Sequence, residues 1–211
     1  TAYDIHLNEK GELLEYRQIG IDDDAVYEKW YADSSCDGGG GWFNGQTYLD
    51  ILNPKAVRAF LNITYERYKE KVGSLFGKQI PAIFFDEPAF SACQRLSSSL
   101  SKQTLSIPWT GDMEQGFCER YHMDLTAKLP ELFWELPGDQ KSRFRYCFFD
   151  YLASRFVGSF TNQIAEWCRE NGILCTGHFL GEGNFEQTVS RSGDIMRHYY
   201  NMDIPGIDTL T

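Results

Sequence analysis

The sequence predicts an α/β fold: a parallel sheet alternating with helices, preceded by an antiparallel β excursion. Three observations carry this expectation. Two short runs, 80–85 and 173–176, are apolar on successive residues, as strands covered on both faces are. Each follows directly on a long stretch whose apolar residues recur at three- and four-residue steps, the period of a helix. Residues 1–41 instead alternate apolar with polar, as strands with one wet face do.

In the excursion, Tyr3-Asp4-Ile5-His6-Leu7 and Leu13-Leu14-Glu15-Tyr16-Arg17-Gln18-Ile19 flank the turn cluster Asn8-Glu9-Lys10-Gly11. A third alternating run, Val26-Tyr27-Glu28-Lys29-Trp30-Tyr31, follows the acidic turn Asp22-Asp23-Asp24. The glycines Gly38 to Gly41 come next. They lack a following Gly-Lys-Ser/Thr and a preceding buried strand, so they read as a surface loop rather than a phosphate cradle. Trp42 and Phe43 beside them either anchor that loop or offer a flat ring to a sugar.

Residues 42–211 form the α/β segment, with an insertion at about 89–138. Asn53-Pro54 is a helix start: the Asn side chain can cap free N–H groups, and Pro is preset for the first helical position. Val57, Phe60, Leu61, Tyr65, Tyr68, Val72 and Leu75 mark one apolar face, and Gly77 ends it. The strand Ile80-Pro81-Ala82-Ile83-Phe84-Phe85 follows at once. The insertion is Ser-rich at Ser97-Ser98-Ser99 and has room for one or two short helices. From Asp139 a second helix of about thirty residues carries Phe144, Phe148, Tyr151, Leu152, Phe156 and Phe160 on one face and stops at Asn171-Gly172. Ile173-Leu174-Cys175-Thr176 is the next strand, and Ile204-Pro205-Gly206-Ile207 can begin a third. Such alternation gives parallel strands with right-handed crossovers. In a (β/α)8-barrel the C-terminal rim of the strands holds the catalytic groups.

Composition narrows the partners. A net charge of −10 repels phosphate backbones and anionic bilayers, which excludes nucleic acid and membrane surfaces as expected partners and favours a neutral substrate. Aromatic residues make up 15% of the chain, which suits a carbohydrate cleft, although 15 Phe against 5 Trp also describes a Phe-rich core. The six cysteines show no C-x-x-C spacing, so neither a zinc ribbon nor a thioredoxin-type site is expected. Several of them lie in apolar runs, as buried reduced thiols do, which points to a cytoplasmic chain. No stretch reaches the ~18 apolar residues of a membrane span. Beginning at Thr1, the chain is expected to be a processed or excised piece, and the remainder of its parent polypeptide its partner.

The chemistry-bearing residues follow the strands. Asp86 and Glu87 end the first strand, where apolar packing below and a cleft above suit a general acid. The alternative is that they cap the next helix or pair with an Arg. The second strand runs into Gly177, His178 and Glu182, with His178 able to bind sugar hydroxyls or to serve the fold. Arg197, His198, Asp203 and Asp208 surround the third strand and complete the set of expected substrate contacts.

Taken in order, Tyr48-Leu49-Asp50-Ile51-Leu52-Asn53-Pro54, Phe84-Phe85-Asp86-Glu87-Pro88, Thr176-Gly177-His178-Phe179-Leu180-Gly181-Glu182, Met196-Arg197-His198 and Ile204-Pro205-Gly206-Ile207-Asp208 resemble the barrel segment of large bacterial glycoside hydrolases of the α-L-rhamnosidase type. That resemblance implies a partial (β/α)8-barrel of the TIM-barrel glycosidase kind, with no cofactor and no metal. It further implies Glu87 as proton donor and a second acid on a later strand, beyond Thr211. Within this chain the well-placed partner is Glu182, with Asp86, His178, Trp42, Arg197, His198 and Asp208 as the expected substrate contacts. Two other classes stay open. A metal-dependent hydrolase would use Asp86, Glu87, His178 and Glu182 as ligands, and a non-catalytic carbohydrate-binding derivative would keep only the sugar contacts. Because a barrel needs eight strands, the chain by itself is expected to show little or no turnover.

Overall fold

The computed structural model describes residues 1–23, the backbone of 32–35, and 47–209. The expected strand Val26–Tyr31, Cys36, the glycines Gly38 to Gly41 and the aromatics Trp42 and Phe43 lie outside the described residues. In chain order the elements are β1 (Ala2–Leu7), β2 (Leu13–Ile19), β3 (Ala32–Ser35), α1 (Pro54–Ile63), α2 (Tyr65–Val72), β4 (Ala82–Phe85) and β5 (Leu105–Pro108). Then come α3 (Met113–Tyr121), α4 (Arg143–Phe156), α5 (Asn162–Glu170), β6 (Leu174–Gly177), α6 (Phe185–Arg191), α7 (Ile195–Tyr199) and β7 (Ile204–Pro205). Two compact units result.

The first unit holds Thr1–Ser34, Cys93–Ile107 and Gly111–Tyr151. Here β1 and β2 pair antiparallel. The turn between them is closed by Asn8, whose side-chain oxygen accepts the N–H groups of Lys10 and Glu12, each at 2.9 Å. Buried Phe117 meets Phe144 at 5.6 Å and Tyr151 at 5.8 Å, both edge-on, to form an aromatic core. Glu131 is buried beside it and accepts from the Tyr16 hydroxyl (2.6 Å), the Ser142 hydroxyl (2.5 Å) and Lys128 Nζ (3.0 Å). Burial pushes this carboxyl up, but the three donors outweigh it and hold it below its usual range.

The second unit holds Ser35–Ala92, Pro108–Thr110 and Leu152–Thr211. Asn53 caps α1 by accepting the Lys55 N–H at 3.0 Å. The helix expected to run on to Gly77 breaks at Thr64, whose hydroxyl turns back to Phe60 O at 2.6 Å and competes with the helical ladder. A π-helical turn, Val157–Thr161, joins α4 to α5. The sheet of this unit has the order β4-β6-β7, all parallel, with Phe84 beside Thr176 beside Ile204 and Phe85 beside Gly177 beside Pro205. On its inner face Phe85 lies edge-on to Phe160 at 5.5 Å and to Phe179 at 5.4 Å. Cys168 of α5 and Cys175 of β6 are free and fully buried, as their apolar settings lead one to expect.

The partial (β/α)8-barrel expected from the sequence is not what forms. Three parallel strands make an open sheet, the last of them only two residues long. Residues between β4 and β6 add no strand to this sheet: β5 pairs with β3 in a separate two-stranded sheet. Nor is the sheet covered on both faces. Phe84 is 55% exposed, Leu174 42% and Ile204 47%, because these alternate positions face away from the helices. Among the described residues, no helix is long and apolar enough to cross a membrane.

Candidate functional site

The C-terminal ends of the three parallel strands lie side by side, and each delivers a polar side chain. Gly177 makes this approach possible. Its φ is +153°, and a Cβ there would stand 2.4 Å from Phe85 O, so only glycine lets β6 close against β4 at the rim. Gly206 repeats the device on the other side, donating to Gly177 O at 2.9 Å, with a Cβ position 2.6 Å from the same oxygen.

Glu87 from β4, His178 from β6 and Asp208 beyond β7 converge, with one ligand atom from each lying within 4.8 Å of the others. His178 is central because β6 is the middle strand. Its Nε2 is buried and 3.2 Å from Asp86 Oδ1, yet the approach lacks hydrogen-bond geometry and leaves that nitrogen without a partner. The imidazole lies edge-on to Phe84 at 5.4 Å. Glu87 has φ +46°, in the left-handed region that costs an L-residue energy. It makes no hydrogen bond or ion pair among the described residues, so neither a helix cap nor an Arg explains it. Glu87, His178 and Asp208 could accept a hard divalent cation, and Glu87 and Asp208 offer two carboxylates across a narrow gap.

The other expected site residues are spent elsewhere. Glu182 accepts the Phe179 N–H (3.2 Å), the Tyr199 hydroxyl (2.5 Å) and the Asp208 N–H (2.9 Å). Arg197 is held by Asp194 (3.0 Å) and Ser154 (2.9 Å). His198, expected at the rim as a substrate contact, is fully buried between Phe156 and Phe179, with ring centroids at 4.5 and 4.2 Å. Its Nδ1 pairs with the Thr161 hydroxyl at 2.6 Å and its Nε2 with Ser192 O at 3.3 Å. A carbonyl can only accept, so Nε2 carries the proton and Nδ1 accepts, which satisfies a neutral ring. Burial pushes this histidine down to about 4, against the weaker opposing pull of Ser192 O and Asp194. Asp203 accepts the Cys175 N–H at 2.8 Å and so pins β6.

Sequence reasoning missed Tyr199 and Phe84. A tyrosine closing a five-residue helix carries no signal of what its hydroxyl will reach. Phe84 looked like core until its face proved open.

No family model matches the sequence, and neither does any curated protein. Among solved structures, the chain is similar to a rhamnosidase from Novosphingobium sp. PP1Y, with 20% identity and a TM-score of 0.52. The likeness covers 75% of this chain but only 14% of the rhamnosidase, so it is a likeness of fold to one stretch of a much longer protein.

Proposed function

We propose that the rim of the parallel sheet is part of a glycoside-hydrolysing site, with an α-L-rhamnoside as the first substrate class to test. The convergence of Glu87, His178 and Asp208 from three adjacent strands carries this reading. The strained backbone and untied carboxylate of Glu87 support it, as does the fold shared with a stretch of a rhamnosidase. Glu87 protonates the glycosidic oxygen as the bond to the anomeric carbon breaks. Asp208, not Glu182, is the opposing carboxylate that bonds to the anomeric carbon as the leaving group departs. Water, deprotonated by Glu87, then displaces Asp208 and releases the sugar. Glu182 is already engaged by three donors. A nearest approach within 4.8 Å is close to the ~5 Å at which paired carboxyl groups act across one bond. His178 and Asp86 bind the sugar hydroxyls.

The test is to incubate the protein with aryl α-L-rhamnosides, alongside galactosides, and to measure binding and release of the aryl group separately. Binding in the millimolar range is expected, with slow turnover because an open sheet leaves the site wet. Glu87→Gln should lower that turnover by about 10²–10⁴-fold, the usual worth of a general acid, while leaving binding within about twofold. Turnover indifferent to Glu87→Gln sinks the assignment.

A second reading is favoured by the buried, unpartnered Nε2 of His178 beside two carboxylates: a divalent cation held by Glu87, His178 and Asp208. Elemental analysis of the purified protein, with thermal melts in calcium, zinc and manganese against a chelator, separates the two. A metal-dependent rise in Tm that Asp208→Asn removes selects the cation site. Identical melts reject it.

A further inference from the structure

Among the described residues after β7, 206–209, few contacts fix the backbone. Ile207 is 74% exposed and gives Asp208 no packing to lean on. Two backbone ties remain: Gly206 N–H to Gly177 O at 2.9 Å, and Asp208 N–H to Glu182 Oε2 at 2.9 Å. The second ends on a side chain that is itself fixed. Glu182 Oε1 takes the Phe179 N–H and the Tyr199 hydroxyl, and the Tyr199 ring packs on Phe179 at 5.9 Å. One carboxylate therefore clamps the chain after β6, the end of α7 and the chain after β7 to each other. With three donors on its two oxygens, it has little capacity left to trade a proton with a substrate. Burial, and then the Glu182 hydrogen bond, raise the Tyr199 hydroxyl above its ordinary range, so at neutral pH it is a donor.

From this geometry we infer that Glu182, held by Tyr199, is a positioning residue that fixes Asp208 in line with Glu87 and His178. The inference rests on the reading of those three residues as the site. A charge-assisted hydrogen bond to an otherwise unpacked loop decides where the Asp208 carboxylate points. Releasing it costs order at the rim rather than stability of the fold.

Amide hydrogen exchange and sugar titration, both followed by NMR, test this on the whole chain with three variants. Glu182→Ala removes every tie. Glu182→Gln keeps one oxygen for Tyr199 and Phe179 but presents an NH₂ group, which cannot accept, to the Asp208 N–H. Tyr199→Phe loosens the clamp while leaving Glu182 charged. In Glu182→Gln the Asp208 amide should exchange at least about tenfold faster, the equivalent of one such bond. The Cys175 amide, tied to Asp203 in the core, should not change. The His178 ring resonances should move, rhamnoside binding should weaken, and Tyr199→Phe should fall between Glu182→Gln and wild type. Glu182→Ala serves as the full-loss reference. Should Glu182→Gln leave the Asp208 amide and the His178 ring unmoved, the positioning role is wrong, and loss of hydrolysis in that variant would make Glu182 a direct participant instead. Failure of the wild type to bind rhamnoside counts against the glycosidase reading alone, because the exchange and ring-resonance arms still decide the clamp.

Discussion

His178 and His198 sit twenty residues apart and end in different environments. His178 follows a strand and stops at its mouth, where Nε2 finds no partner. His198 lies on α7 and turns inward, where Thr161 and Ser192 satisfy both nitrogens. The sequence shows the strand end that brings one to the rim, but not the packing of a five-residue helix that swallows the other. A consequence for stability follows. The folded value of about 4 lies below the ordinary 6.5, so the unfolded chain binds the extra proton first. The stability from keeping this ring neutral is fully present above pH 6.5 and drains away as pH falls toward 4, by roughly 3 kcal/mol at most. Urea unfolding of His198→Gln should therefore show a shallower loss between pH 6.5 and 4 than wild type. Parallel pH profiles would mean that His198 is not the group responsible.

Among elements, the first two strand ends were legible because short apolar runs running into Asp-Glu or Gly-His have few other readings. What sequence could not supply was the number of strands and the faces they cover. An apolar run looks the same whether one face or both are packed, and only the position of the helices distinguishes them. The two neighbours Phe84 and Phe85 make the difference measurable. Phe85, at 6% exposure, packs on Phe160 and Phe179, so Phe85→Ala should cost about 3–5 kcal/mol in chemical denaturation. Phe84, at 55%, should cost under about 1 kcal/mol when changed to Ala. Equal costs would show that the outer face is covered in solution. The glycine at 177 is required at this strand end because a Cβ there would stand 2.4 Å from Phe85 O.

At the scale of the whole molecule, the expected barrel gave way to an open three-stranded sheet, since residues 89–138 add no further strand to it. The alternation of helix and strand told the direction of the strands but not how many would close on each other. The site survives that correction because it needs only three adjacent strand ends. In the proposed site the acid partner is Asp208 rather than Glu182, a choice no spacing rule could have given, since it depends on the three donors that engage Glu182.

The most direct measurement is a ¹H–¹⁵N NMR titration of the protein with methyl α-L-rhamnoside, with galactoside and glycerol as controls. Saturable shifts are expected at the amides of Asp86, Glu87, His178, Gly206 and Asp208, and the core amides of α5 should stay still. Shifts scattered over both units, or confined to residues away from the three strand ends, would contradict a sugar site at the rim.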